Sequence, residues 1–218
     1  MLKIFPYQKI LIHYFIFIGT LIIARILYSG SWLFVFMVWN LFLAYIPLVI
    51  INYLVKNNIT QKWKQIILFS CWLLFFPNAL YIVTDLVHLE IDTNVPKWFD
   101  AILLFSSSMV SLIMAFISLY NAELFIKRYY SKNATTVSVL VLLFMGSFGV
   151  YLGRFLRWNS WDIIHHPFRL LACIAERFIF PFEHGRTWGV TVLLTALFYL
   201  LYMSIKKLPG YFYQAVYK

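Results

Sequence analysis

Six long apolar stretches constrain what this chain can fold into. A hydrocarbon core of about 30 Å takes about 20 residues of helix to cross, and each stretch approaches or exceeds that length. Because lipid offers no hydrogen-bond partners, each stretch must satisfy its own backbone groups, as a helix does. We place the spans near residues 9–28, 32–55, 64–86, 99–126, 134–156 and 187–205.

The composition supports this assignment. Hydrophobic residues make up 63% of the chain and charged residues 12%, whereas soluble domains have about 45–50% and about 25%. The predicted fold is therefore all-α, a polytopic helical membrane bundle with six transmembrane helices. We expect residues 1–218 to form a single integral-membrane domain, since no linker or soluble segment interrupts them.

One stretch outside the spans has its own helical pattern. Between Phe168 and Phe180, charged residues gather on one side of a helical wheel and apolar residues on the other. Such a segment is too charged to cross a membrane and too amphipathic to float free in water. It predicts one interfacial amphipathic helix in addition to the six spans.

The basic residues fall on one side of this topology. If the N-terminus is inside, the cytoplasmic segments carry the whole formal charge of +10, and the outer segments sum to zero. The positive-inside rule therefore predicts that the N- and C-termini are both cytoplasmic. The positive charge is explained by topology and by contact with anionic membrane lipids, and not by nucleic-acid binding.

A polar run ends the third span. After the almost purely apolar residues 66–76 come Asn78, Tyr81, Asp85 and His88. At about 100° per residue, these four fall within roughly an 80° sector of one α-helical face. Ionisable groups near the end of a span are costly unless they face a cavity or a partner, so this face is the candidate site.

A second polar cluster follows the fifth span. It contains Arg154, Arg157, Asn159 and Asp162. Arginine is the two-pronged donor that a carboxylate at membrane depth needs. We expect a network at the outer surface that joins acids to arginines, comprising Asp85, Asp100 and Asp162 with Arg154, Arg157 and Arg25.

The fourth span is the candidate neighbour for that cluster. It begins near Trp98 and Asp100 and carries a stripe of small residues at Ser107, Ser111 and Ser118. Small residues allow helices to approach closely. This would bring the polar end of the fourth span beside the arginines.

Three interpretations of the polar residues stay open. The acids and arginines can act as structural glue for the bundle. Alternatively, His88 and Asp85 form a general-base pair, with Asn78 and Tyr81 beside them. A zinc site is the third interpretation, because several outer residues are suitable ligands, but their spacing fits no metal-binding motif. These residues are His88, Glu90, Asp92, His165, His166 and His184.

Three segments together resemble a known family. They are Phe76–His88, Trp98–Asp100 and Gly153–Asp162. In combination they are similar to a family of small bacterial multi-pass membrane proteins, domain of unknown function 1361, over roughly residues 30–165. The resemblance implies a bacterial plasma-membrane protein and implies no activity. Matching positions are Asn78, Tyr81, Asp85, His88, Asp100, Arg154, Arg157, Asn159 and Asp162.

The sequence thus leads to one functional hypothesis and two alternatives. The hypothesis is an enzyme acting on a lipid or lipid-linked substrate in the outer leaflet, with no cofactor and no metal. His88, Asp85, Tyr81 and Asn78 would be catalytic. The anionic substrate would be bound by Arg154, Arg157, Asn159, Asp162, Asp100 and Trp98. The alternatives are a small-solute transporter or channel and a non-catalytic assembly partner, and the sequence identifies no protein partner.

Overall fold

The structure, a computed structural model, describes residues 6–57, 59–91 and 94–216. Every regular element in these residues is helical. The elements are α1 Pro6–Ser29, α2 Phe36–Lys56, α3 Lys62–Tyr81, a 3-10 helix Ile82–Glu90, α4 Lys97–Ile126, α5 Lys132–Leu156, α6 Asp162–His165, α7 Pro167–Ile179 and α8 Gly185–Val216.

Six of these helical segments are long and apolar enough to cross a membrane. This confirms the prediction of a six-span helical membrane protein. The third span differs from the prediction, because its α-helix ends at Tyr81 and the segment continues as the 3-10 helix to Glu90. The chain divides into two compact units, Met1–Ser118 and Leu119–Lys218, and the boundary falls inside α4. The single domain stays a prediction.

In the first unit, α2 packs along α3. Five of the buried residues of α2 recur every three or four positions, which is the spacing that keeps one seam of a helix against a neighbour. They are Met37, Leu41, Ala44, Leu48 and Ile51. The buried residues of α3 are Trp72, Phe76, Ala79 and Leu80. A continuous apolar seam thus fixes these two helices at the register that positions the polar residues beyond it.

Serines of α4 explain how α3 changes to a 3-10 helix. The Ser111 hydroxyl donates to the carbonyl of Ala79 at 2.7 Å, and the Ser108 hydroxyl donates to the carbonyl of Ile82 at 3.1 Å. Carbonyls at the end of an α-helix lose their regular partners, and burial without a partner is costly. The predicted serine stripe is buried, and Ser111 of that stripe, together with the neighbouring Ser108, satisfies the backbone where α3 ends.

In the second unit, α5 packs against α8. Glu123, near the end of α4, accepts hydrogen bonds from the Tyr202 hydroxyl and from the Lys206 ammonium group, the latter at 2.7 Å. Glu123 is the single acid that the charge pattern assigns to the inner side. Its negative charge is compensated by a cation of α8.

Helix α7 confirms the predicted amphipathic segment. Its residues Phe168, Leu171 and Ile179 are 83%, 61% and 66% exposed, so this apolar face is not covered by the rest of the described chain. Its arginines differ in exposure: Arg169 is exposed, whereas Arg177 is buried and donates to the carbonyl and the sulfur of Cys173. An apolar face that the described chain leaves uncovered fits a helix that lies at a lipid surface.

Candidate functional site

The candidate site is built around Asp85, whose side chain is only 1% exposed. A carboxylate in such a place is costly unless polar groups compensate it. Asn40, near the start of α2, supplies one of them: its side-chain amide donates to Asp85 Oδ2 at 3.1 Å. This hydrogen bond joins α2 to the 3-10 helix. The packing of α2 along α3 thus places the Asn40 amide beside the Asp85 carboxylate.

His88 lies on the other side of the carboxylate. Its Nε2 is 3.7 Å from Asp85 Oδ1, and its side chain is 29% exposed. The edge of the imidazole packs against Phe36, with ring centroids 5.4 Å apart. The two residues therefore differ in burial: the carboxylate is buried, and the imidazole is partly exposed. We call Asp85 and His88 the dyad.

The 3-10 geometry produces this pairing. A 3-10 helix has about three residues per turn, so residues three apart lie directly above one another. Asp85 and His88 are three apart and share a face with buried Ile82. The sequence predicted a shared face from α-helical periodicity. The shared face is confirmed for these two residues, but the reason is the 3-10 helix.

Tyr81 lies where the α-helix changes to the 3-10 helix. It ends α3, and its carbonyl accepts a hydrogen bond from the Thr84 hydroxyl at 2.7 Å. The tyrosine is half-buried. Its catalytic role stays a prediction.

Asn78 has a local role. Its side-chain amide donates to the carbonyl of Phe75 at 3.2 Å, next to Pro77. This contact lies within the helix of Asn78 itself. Asn78 also lies one turn before the 3-10 helix, and its catalytic role stays a prediction.

Asp100 is joined to Arg25 by a two-pronged ion pair. Arg25 Nε donates to Oδ1 at 2.8 Å and Nη2 donates to Oδ2 at 3.2 Å. Both side chains are nearly inaccessible, at 1% and 6% exposed. Arg25 was one of three arginines considered for the expected network, and in the structure it is the partner of this acid. The pair ties the end of α1 to the start of α4.

Arg25 also connects this ion pair to aromatic side chains. Its guanidinium carbon lies 4.5 Å from the ring centroid of Phe34. Phe34 contacts Phe36 at 6.0 Å between centroids, and Phe36 in turn contacts His88. The α1–α2 loop and the start of α2 thus place an aromatic bridge between the ion pair and the dyad. Sequence reasoning missed the bridge, although the Phe34-Val-Phe36 alternation stands beside two predicted span ends.

The residues predicted to bind an anionic substrate have separate local environments. Trp98, in the first unit, is 64% exposed at the start of α4. In the second unit, Asp162 accepts a hydrogen bond from the backbone N–H of Asn159 at 2.7 Å, which closes the turn before α6. Arg154 lies in the last turn of α5. Arg157 ends that helix with a φ of 59°.

The conformation of Arg157 is unusual for its residue type. Left-handed backbone at a helix end is typical of glycine, and here a side chain costs roughly 1–2 kcal/mol. Gly30 has the same left-handed conformation after α1, with a φ of 64°. Its N–H donates to the carbonyl of Ile26 at 2.8 Å. An arginine that keeps a position suited to glycine is a candidate for a role of its side chain.

The described residues do not group into a metal site. Across 6–57, 59–91 and 94–216, no three His, Cys, Asp or Glu side chains come together in a way that could hold an ion. Asp92, one of the ligands considered from the sequence, lies outside the described residues.

Comparison with known proteins identifies the family. Residues 39–201 match the family described as "Protein of unknown function (DUF1361)". The chain belongs to this family. The match begins later than the resemblance suggested and continues through α7 into α8. No curated protein and no solved structure matches the chain.

The dyad and Asp100 lie inside the part of the chain that matches DUF1361, whereas Arg25, Phe34 and Phe36 precede it. Of the two residues that contact the dyad, Asn40 thus lies inside the matched segment and Phe36 lies before it.

Proposed function

We propose that this DUF1361 protein is an enzyme of the plasma membrane whose dyad performs acid–base chemistry on a lipid or lipid-linked substrate in the outer leaflet. The observation that carries the proposal is the graded burial of the dyad. Asp85 is 1% exposed and is oriented by Asn40, while His88 is 29% exposed. A buried acid behind a partly exposed imidazole is the arrangement of a general base and its orienting carboxylate.

The two residues would divide the work. Asp85 would hold the imidazole ring and stabilise its protonated form. Because Nε2 faces Asp85, the proton would be accepted at Nδ1, from water or from a substrate hydroxyl. The 3.7 Å separation in the dyad is longer than a hydrogen bond. Catalytic hydrogen bonds are often loose in the absence of substrate and tighten when it binds.

The membrane setting supports a lipid as substrate. The dyad lies at the end of a candidate span, and the charge pattern assigns that end to the outer side. A water-soluble substrate would need a polar cavity, whereas a lipid can reach a partly exposed imidazole from the membrane itself. In the second unit, Arg157, which ends α5 in a left-handed conformation, is a separate proposed contact for anionic head groups.

The experiment compares lipids in cells that carry different variants. A strain without the protein is complemented with the wild-type chain, with His88→Gln or with Asp85→Asn, and its lipids and lipid-linked intermediates are measured by mass spectrometry. Loss of general acid–base catalysis costs about 10²–10⁴-fold in rate. Both variants should therefore reproduce the lipid profile of the deletion strain while melting close to the wild type.

His165→Gln is the matched control, since His165 is an exposed histidine of α6. It should restore the wild-type lipid profile. If His88→Gln also restores it fully, the acid–base proposal is wrong. A non-catalytic role would then be favoured, and the buried Arg25–Asp100 pair supports such a role, because ion pairs of this kind fix the register of helices.

A further inference from the structure

A groove lies at the opposite end of α3 from the dyad. It is formed by the last turn of α2, the connection that follows and the first two turns of α3, and its volume is about 480 Å³. The lining residues are Tyr53, Asn57, Ile59, Thr60, Gln61, Trp63, Lys64, Ile67 and Leu68. No carboxylate is among them. The groove is independent of the proposed acid–base chemistry.

The lining combines polar and apolar side chains. Asn57, Thr60, Gln61 and Lys64 bring amides, a hydroxyl and an ammonium group to the groove, and we call these four the polar rim. Trp63 and Ile67, which are 60% and 53% exposed, bring an aromatic ring and an aliphatic side chain, and we call these two the apolar wall. A surface that offers cationic and hydrogen-bonding groups beside apolar ones suits an amphiphile better than a simple ion.

Hydrogen bonds hold the polar rim in place. The Gln65 side chain donates to the carbonyl of Ile59 at 2.6 Å, which ties the connection to α3. The Asn57 side chain donates to the carbonyl of Tyr53 at 3.1 Å, which closes the end of α2. Lys64 Nζ lies 5.3 Å from the ring centroid of Trp63. The groove is thus built by contacts of its own residues.

The local charge has one sign. The sequence contains no Asp or Glu before Asp85. Lys64 lines the groove, and Lys56 and Lys62 are close to its lining residues along the chain. Each basic residue near an anionic membrane surface contributes about 1 kcal/mol of attraction. Tyrosine and tryptophan at this end of the helices match the depth of lipid head groups. The positive charge of this region and its position at head-group depth therefore both suit an anionic lipid.

We propose that this groove is a binding site for an anionic phospholipid. Lys64 contacts the phosphate, with Gln61 and Thr60 beside it, and the glycerol backbone and upper acyl chain lie along Trp63 and Ile67. A lipid rather than a free anion is the occupant, because a free anion would leave the apolar wall unused. Binding at this site would be specific, in contrast to the general attraction of a basic protein to an anionic bilayer.

The experiment measures lipid binding to the full-length protein in detergent micelles. Phosphatidylglycerol and phosphatidylcholine are titrated separately, and bound lipid is counted by native mass spectrometry. Lys64→Gln should weaken phosphatidylglycerol binding about ten-fold, as expected for the loss of one charge-assisted contact. The matched control is Lys62→Gln, which removes the same charge from an exposed lysine that does not line the groove. It should leave binding nearly unchanged.

A second variant keeps the charge and fills the space. Thr60→Phe places a ring in the groove from an exposed position and should also weaken phosphatidylglycerol binding. Equal effects of Lys62→Gln and Lys64→Gln would contradict a specific site, as would equal affinity for the two lipids. If inorganic phosphate at millimolar concentration displaces phosphatidylglycerol, the occupant is a free anion and the lipid assignment is wrong.

Discussion

At the scale of single residues, the polar groups of the first unit are paired by geometry that spans long sequence distances. Arg25 and Asp100 are 75 positions apart, and Asn40 and Asp85 are 45 apart. Each acid gains a partner from another helix of the same unit. The sequence identified the acids as costly in a membrane, but it gave several candidate cations for them.

The Arg25–Asp100 pair yields a prediction about stability. Removing one partner of a buried ion pair leaves an unpaired charge and costs about 3–5 kcal/mol. Arg25→Gln and Asp100→Asn should therefore each lower the free energy of unfolding in detergent by about that amount. The double variant should lose clearly less than the sum of the two losses, because neither charge is then left alone.

Unfolding in mixed micelles, followed by tryptophan fluorescence, measures this double-mutant cycle. Arg169→Gln serves as a control, since Arg169 is an exposed arginine on α7. Strictly additive losses for Arg25 and Asp100 would mean that the two residues do not interact.

At the scale of elements, the end of the third span is the part that the sequence described least well. Residues 82–90 were expected to continue an α-helix, at least to residue 86, and they form a 3-10 helix instead. Hydrophobic periodicity cannot distinguish these two forms over nine residues. The choice depends on donors from α4 that reach the carbonyls of Ala79 and Ile82.

These hydroxyl donors give the second stability prediction. Ser111→Ala removes the donor to Ala79 and leaves a buried carbonyl with one partner fewer, which should cost about 1–3 kcal/mol. Ser107→Ala is the matched control, because the Ser107 hydroxyl donates to Leu103 within its own helix at 2.8 Å. Its loss should cost less, since the α-helix already satisfies that carbonyl.

Thermal unfolding in detergent compares the two serine variants, and hydrogen exchange locates the effect. Amide exchange should accelerate in residues 79–90 for Ser111→Ala and stay unchanged there for Ser107→Ala. Equal stability of both variants, with unchanged exchange, would contradict the role assigned to Ser111.

At the scale of the whole molecule, six candidate spans and the charge pattern predict an orientation that can be tested directly. Cysteines are introduced singly at Asn94, before α4, and at Thr60, between α2 and α3, after replacing Cys71 and Cys173 by Ser. The excess of lysine near residue 60 predicts that this connection is cytoplasmic. In intact cells, a membrane-impermeant thiol reagent should therefore label the cysteine at 94 and not the one at 60.

Lysed cells provide the control for orientation, since both cysteines should react there. The reverse pattern in intact cells would place the dyad on the cytoplasmic side. The proposed outer-leaflet substrate would then be wrong, while the geometry of the dyad itself would stand.

The sequence by itself determined the number of spans, their approximate limits and the amphipathic α7. The physical reason is that lipid accepts only long apolar helices, so the signal is local and strong. The sequence also located the dyad, because an acid and a histidine at the end of an apolar helix are conspicuous. Only the tertiary structure decided that Asp100 takes Arg25 and that Asp85 takes Asn40. Those choices depend on the register of separate helices, and that register is set by side-chain packing along whole seams and not by any local pattern.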